Sequence, residues 1–216
     1  MARQAGHALV LPMSKRAFPR SSVPLPHVVS PATFEQVMRG GFPQKGNARG
    51  AKCTALCDQA LLWVLFETGI TVSEICALRV ADLAGVLRVR GREGKERQLP
   101  LLPTGLSHLC SYLKRLDPKT TRGLTSRKAG GDPLFASKGK QPLTKNGVAM
   151  VFARFRQRVG ISESIISHQI LRHSFALRYL QTGGAPQGLH ELMGYKGMAL
   201  VRQYLRWYDQ LLHEQT

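Results

Sequence analysis

The sequence predicts a mostly α-helical fold with one small antiparallel β-sheet. Three observations carry this. Apolar residues recur at helical spacing in segment after segment. Val86 to Arg90 and Arg97 to Leu101 read as two strands facing each other across a charged, glycine-containing turn. The chain has 216 residues, 43% of them hydrophobic, so it is long and apolar enough to bury a core.

Residues 1–29 hold five prolines or glycines with scattered Arg3, Lys15, Arg16 and Arg20, and are expected to form an extended, mobile basic arm. Ser30-Pro31 is a helix start, with Ser at the N-cap and Pro at the first helical position; that helix runs through Phe34, Val37 and Met38 to Gly40-Gly41. A basic loop over 42–50 follows. Residues 52–66 carry the stripe Leu56, Ala60, Leu61, Val64 and Leu65, ended by Thr68-Gly69, and a further helix starts near Val72 and takes in Ile75, Leu78 and Arg79. After the hairpin, 104–116 form a helix with Leu106, Leu109, Cys110 and Leu113 on one face. Residues 117–133 read as a loop and Leu134 to Ala136 as a short strand. Thr144 caps a helix to about Val159 that exposes Arg154, Arg156 and Arg158. Residues 170–182 and 187–193 are two more helices, and the last holds Val201, Tyr204 and Leu205.

The formal net charge is +18 and the sequence pI near 10.5, a balance that points to a polyanionic partner, nucleic acid first. Cys53 and Cys57 share a helix face, but two further ligands at zinc spacing are missing, so buried free thiols in a reducing cytoplasm are the expectation and no metal site is assigned. No run of eighteen apolar residues exists and the N-terminus lacks a signal-peptide pattern, so the sequence predicts neither a membrane span nor secretion.

Three blocks carry chemistry. Asp58 to Leu83 contains Thr-Gly-Ile-Thr-Val-Ser-Glu around Thr71, Gly91 to Leu101 is the hairpin turn and its return, and Gln169 to Tyr204 contains Gln169-Ile170-Leu171-Arg172-His173-Ser174-Phe175, then Leu192-Met193-Gly194-Tyr195, then Tyr204 nine residues on. In this order and spacing, over roughly 30–210, the chain resembles the catalytic domain of the tyrosine recombinase, or phage integrase, family. The resemblance implies that family's fold, double-stranded DNA as partner, and a role in DNA recombination or integration in a bacterial or mobile-element setting, in the cytoplasm and at the nucleoid. It also implies phosphoryl transfer without cofactor or metal. A tyrosine oxygen attacks a DNA phosphate and a 5′ hydroxyl leaves, while arginines and a histidine-type donor surround the charge that develops.

Carried over residue by residue, Arg172 matches the family's second arginine, whose fork suits phosphate, and Tyr204 matches the nucleophile, with Tyr208 as a rival in a shifted register. Other positions depart. Thr71 stands where the first arginine belongs and brings neither its charge nor its fork of donors. Arg79, eight residues on, would lie about 12 Å along the same helix and does not replace it. Arg92 occupies the position of the general-acid lysine and holds its proton too tightly for that task, with Lys95 in the same turn as a substitute. Gln169 replaces the first histidine, His168 being beside it on a usable face, and Tyr195 stands where a histidine or tryptophan is usual. His173 reads as a structural position.

Two functions follow. The first is a DNA-binding protein on this fold whose catalysis is impaired by Thr71, gripping DNA through Arg88, Arg90, Arg92, Lys95, Lys145, Arg154, Arg156 and the arm. The second is an active recombinase forming a 3′-phosphotyrosine intermediate through Tyr204. Residues 30–216 form the catalytic domain in either case; about 29 residues precede it, where relatives carry a full helical domain that closes a clamp on DNA. The resemblance also implies a homo-oligomer or a partner recombinase engaging Leu205 to Thr216 through Trp207, Leu211 and Leu212, the alternative being a helix packed in cis.

Overall fold

The computed structural model describes residues 24–42, 49–91, 94–116, 131–137 and 141–214. Helix α1 (Pro31–Gly41) starts as its sequence requires, with the Ser30 hydroxyl accepting the Thr33 N–H at 3.1 Å. It lays Phe34 on helix α2 (Arg49–Thr68), stacked on Phe66 at 4.0 Å and edge-on to Trp63 at 5.0 Å. Residues 61–68 of α2 are buried all round, because α1, α4 (Pro103–Leu116) and α6 (His168–Gln181) cover it from different sides.

Two buried carboxylates on α2 have fixed partners. Asp58 receives Arg154 from α5 (Lys145–Val159) through two hydrogen bonds, 2.7 and 3.2 Å. Glu67 accepts the N–H groups of Leu102 and Gly105 at 2.9 and 2.8 Å, capping the start of α4. Burial pushes both carboxyls above their usual range, against the pull of these partners.

Helix α3 (Val72–Ala77) ends sooner than its apolar pattern suggests. Arg79 is therefore not on it: the chain turns at Leu78, and Arg79 precedes a short 3-10 turn over Val80–Asp82, bonding its Nη1 to the Gly131 carbonyl at 3.1 Å. The hairpin is as predicted, with β1 (Leu87–Arg90) antiparallel to β2 (Glu96–Leu99) and Leu87 opposite Leu99. Leu134 to Ala136 is not a strand. It is an extended segment held by single bridges, Leu134 donating to the Leu78 carbonyl and Leu143 to the Phe135 carbonyl, with no ladder beside it among the described residues.

Helix α5 begins at the Thr144 cap and ends at left-handed Gly160. Arg158 is exposed as the sequence suggests, whereas Arg154 and Arg156 are half-buried. Arg154 is tied to Asp58, Arg156 lies 3.8 Å from Glu163, and Arg158 reaches the Gly41 carbonyl while lying over the Phe42 ring. On α4 it is Tyr112 with Leu109 and Leu113 that reaches the core, Leu106 and Cys110 being half-buried.

A second apolar cluster joins α6, α7 (Pro186–Met193) and α8 (Ala199–Glu214), centred on Leu177, Leu189, Val201 and Tyr204. Leu25 and Val28 pack against it, and the Val29 N–H donates to Ser174 Oγ at 2.8 Å, so residues 24–29 of the expected arm lie on the domain; the remainder, 1–23, lies outside the described residues. Helix α8 packs in cis: Trp207 is buried and Leu211 packs on the cluster, whereas Leu212 is 48% exposed. No described helix is long and apolar enough to cross a membrane.

Candidate active site

The site lies where the α2–α3 turn, the foot of the hairpin, α6, the end of α7 and α8 meet. Gly69 ends α2 with φ of +61°, a conformation that favours glycine, and a Cβ there would come within 2.6 Å of the Phe175 ring. That turn aims the Gly69 carbonyl at Arg172. The Arg172 guanidinium bonds this carbonyl through Nη1 and the Met193 carbonyl through Nη2 at 3.0 Å, with its carbon 5.2 Å from the Tyr195 ring centre. A half-buried guanidinium fixed at two corners is held in one orientation before any anion arrives, and its fork suits a phosphate.

Thr71 lies two residues beyond Gly69 in the chain and its polar atoms are engaged by Glu74. It is the N-cap of α3: its hydroxyl accepts the Glu74 N–H at 3.3 Å and donates to Glu74 Oε2 at 2.8 Å, while its own N–H meets the same carboxylate oxygen. The other oxygen of Glu74 pairs with Arg97 of β2 at 2.6 Å. Burial alone would raise the Glu74 carboxyl, but hydrogen bonds from Arg97 and Thr71 outweigh it and hold it below the usual range. Arg97 also donates to the Leu192 carbonyl at 2.8 Å, so Arg97 and Arg172 grip consecutive carbonyls at the end of α7. Its Nη2 is buried without a hydrogen-bond partner among the described residues. Gly194 follows with φ of +65°, and a Cβ there would come within 2.9 Å of Arg97 Nη1.

Tyr204 is 3% exposed. Its hydroxyl lies 2.8 Å from His173 Nδ1 and 3.4 Å from the Tyr195 hydroxyl, which donates to it. Burial, and next the neighbouring Tyr195, push the Tyr204 hydroxyl well above the ordinary phenol range, while Arg172 pulls the other way. Burial and the Arg172 charge push His173 below the usual imidazole value. It is thus Tyr204, not Tyr208 one turn on, whose hydroxyl meets His173 and Tyr195.

Arg172, Tyr195 and Tyr204 are thus brought together, and Thr71 is linked to them only through Glu74, Arg97 and the end of α7. His168 and Gln169 open α6 beyond the Ser167 cap, both on its exposed side; burial and Arg172 lower the His168 imidazole against the pull of Glu163. Arg92 lies outside the described residues, and Lys95 is exposed at the hairpin turn. Among the proposed DNA contacts, Arg88 bonds the Ala81 carbonyl, Arg90 pairs with Glu96 at 2.7 Å on the surface, and Lys145 is exposed in the first turn of α5. Sequence reasoning missed three side chains here: Glu74, Arg97 and the direct contact of His173 with Tyr204. The capping pattern Thr71-x-x-Glu74 was a readable signal for the first. Nothing local signals the other two, since their partners lie 95 and 31 residues away. No three His, Cys, Asp or Glu side chains converge as a metal site among the described residues.

The profile of the phage integrase family matches residues 44–210. The chain belongs to the phage integrase family. Tyrosine recombinase XerC of Herpetosiphon aurantiacus is 33% identical over 152 residues, 69% of this chain and 47% of that protein. Tyrosine recombinase XerD of Listeria innocua is 29% identical over 196 residues, 89% of this chain and 62% of that protein. This integrase-family chain therefore spans about half to three-fifths of the length of these relatives. In fold it is similar to the crystal structure of XerA recombinase (TM-score 0.67, 20% identity, 92% of this chain and 65% of that one). It is likewise similar to XerH site-specific recombinase bound to its difH substrate in a pre-cleavage complex (TM-score 0.65, 21% identity, 88% and 53%). The mostly helical architecture with a two-stranded antiparallel sheet is that of the tyrosine recombinase catalytic domain.

Proposed function

We propose that this integrase-family chain binds double-stranded DNA and takes part in its recombination or integration, by strand transfer through Tyr204 at a rate lowered by Thr71. One observation carries the reading: the Tyr204 hydroxyl is held by His173 and Tyr195 beside an Arg172 whose fork is fixed between Gly69 and Met193. In the reaction, Tyr204 Oη bonds to phosphorus, the bond from phosphorus to the 5′ oxygen breaks, and the 3′ phosphate is left on the tyrosine. Arg172 neutralises charge on the non-bridging oxygens. Lys95 at the hairpin turn serves the leaving oxygen as general acid, and Arg92, which holds its proton too tightly for that task, binds the phosphate. The +18 charge supplies non-specific grip on the duplex, with exposed Arg88, Lys95 and Lys145 as contacts. The reading places the protein in the cytoplasm with the nucleoid. It includes assembly with a second copy or a partner recombinase through the C-terminal segment, where Leu212 is exposed.

A second reading, DNA binding without cleavage, is favoured by the commitment of the Thr71 hydroxyl to Glu74. A suicide-substrate assay separates the two, using nicked DNA that carries the cognate site, or genomic fragments. A protein–DNA adduct that survives denaturant and disappears in Tyr204→Phe supports strand transfer. Salt-sensitive retention of DNA with no adduct supports binding alone.

A further inference from the structure

We infer that His173 is the group that takes the Tyr204 proton as the nucleophile attacks, an inference that rests on the strand-transfer reading above. The position at which the resemblance puts a histidine holds Gln169, whose amide accepts no proton at working pH and which lies on the exposed side of the first turn of α6. His173 is one turn further along the same helix. Its Nδ1 is 2.8 Å from Tyr204 Oη, within direct proton-transfer distance.

The direction of transfer is part of the proposal. With Tyr195 donating to Tyr204 Oη, the Tyr204 hydroxyl is free to donate to His173 Nδ1, and the proposal assigns Nδ1 as the unprotonated nitrogen of a neutral ring. The ring is held in that orientation edge-on to Trp207, with centroids 5.7 Å apart and planes at 87°. The titratable and charged groups facing it are Arg172 on its own helix, Tyr204 on α8 and, beyond Tyr204, Tyr195. Burial and Arg172 both favour the neutral, accepting form before the reaction. A bound phosphate beside Arg172 offsets that cation and so favours the imidazolium once the proton has moved.

The step balances. The Oη–H bond breaks and its proton goes to Nδ1, the Oη–P bond forms, and the bond from phosphorus to the 5′ oxygen breaks with its electrons leaving on that oxygen. The leaving oxygen takes its proton from Lys95 or water. The buried tyrosine then never carries a free charge, which matters because its surroundings disfavour the phenolate.

The test uses the full chain and two variants. Asparagine places an amide oxygen near the Nδ1 position, so His173→Asn keeps an acceptor for the Tyr204 hydroxyl but cannot hold its proton. The substrate is nicked DNA with sulfur replacing the bridging 5′ oxygen, a leaving group acidic enough to depart without a general acid. Adduct formation by His173→Asn is expected to fall by about 10²–10⁴-fold with DNA retention unchanged. The wild-type rate falls with acid as the imidazole protonates, and that acid limb is absent from the variant. Nitrogen-15 NMR of the histidine rings gives an independent readout that needs no cleavage. Nδ1 of His173 is expected to be the bare nitrogen and to shift in Tyr204→Phe. A proton on Nδ1 in the free protein overturns the proposal whatever the DNA assay gives, as does an unchanged adduct rate in folded His173→Asn. Failure of the strand-transfer reading shows differently, as no adduct from the wild-type chain with either leaving atom.

Discussion

Restoring the arginine that the family places at position 71 tests the argument about charge at this site most directly. Thr71→Arg puts a guanidinium two residues from Gly69, whose carbonyl already holds Arg172. The gain is the return of one charged donor to the developing transition state, worth about 10²–10³ in rate. The cost is local. The Thr71 hydroxyl caps α3 and donates to Glu74, and losing a side-chain N-cap costs about 1 kcal/mol. The backbone N–H of residue 71 still reaches Glu74, so half of the reciprocal cap survives. For a chain of this size a 1 kcal/mol loss lowers the Tm by about 2–4 °C. Thr71→Arg is therefore expected to form the covalent DNA adduct about a hundredfold or more faster while melting a few degrees earlier. Single-turnover adduct formation on the nicked substrate, alongside thermal unfolding and DNA retention, measures all three. A folded Thr71→Arg protein that retains DNA yet shows an unchanged adduct rate refutes the reasoning that position 71 limits the chemistry.

Other expectations follow from particular contacts. Arg154→Ala leaves Asp58 buried without its partner and is expected to destabilise the domain by about 1–3 kcal/mol in denaturant unfolding, below the cost of breaking a fully buried pair because the arginine side chain is 37% exposed. The same variant should leave the salt dependence of DNA binding unchanged, whereas Lys145→Ala reduces the slope of log affinity against log salt by about 1. Glu74→Gln removes a carboxylate whose folded pKa is depressed, so its stabilisation is complete above the ordinary value of 4.5 and fades as pH falls through the lower folded value. The stability gap between wild type and Glu74→Gln should therefore be widest near neutral pH and close below pH 4.5, and a gap that widens with acid contradicts the assignment. Gly69→Ala combines positive φ with a Cβ 2.6 Å from the Phe175 ring and is expected to cost about 1–3 kcal/mol and to slow adduct formation by moving the carbonyl that fixes Arg172.

Much of this molecule was set by local chemistry and was legible in the sequence. Ser30-Pro31 and Thr144 start helices because a hydroxyl at an N-cap satisfies a backbone N–H within three residues, and the hairpin follows from two short strands around a glycine-bearing turn. The spacing of Gln169, Arg172, Tyr195 and Tyr204 and the absence of an arginine at Thr71 were equally plain, since order and identity are properties of the chain itself. What the tertiary structure decided are the contacts between residues far apart. Arg154 read as a free cation on an exposed helix face until Asp58, 96 residues earlier, was found buried against it. Leu134 to Ala136 had strand composition but no partner strand among the described residues, and it forms bridges instead of a ladder. His173 read as structural because nothing near it in sequence marks the nucleophile, and only the packing of α6 on α8 sets its Nδ1 against Tyr204. Periodicity and capping act over a few residues and survive in the sequence; the pairing of charges and the aiming of a proton acceptor depend on which helix faces meet, and that is fixed only when the core closes.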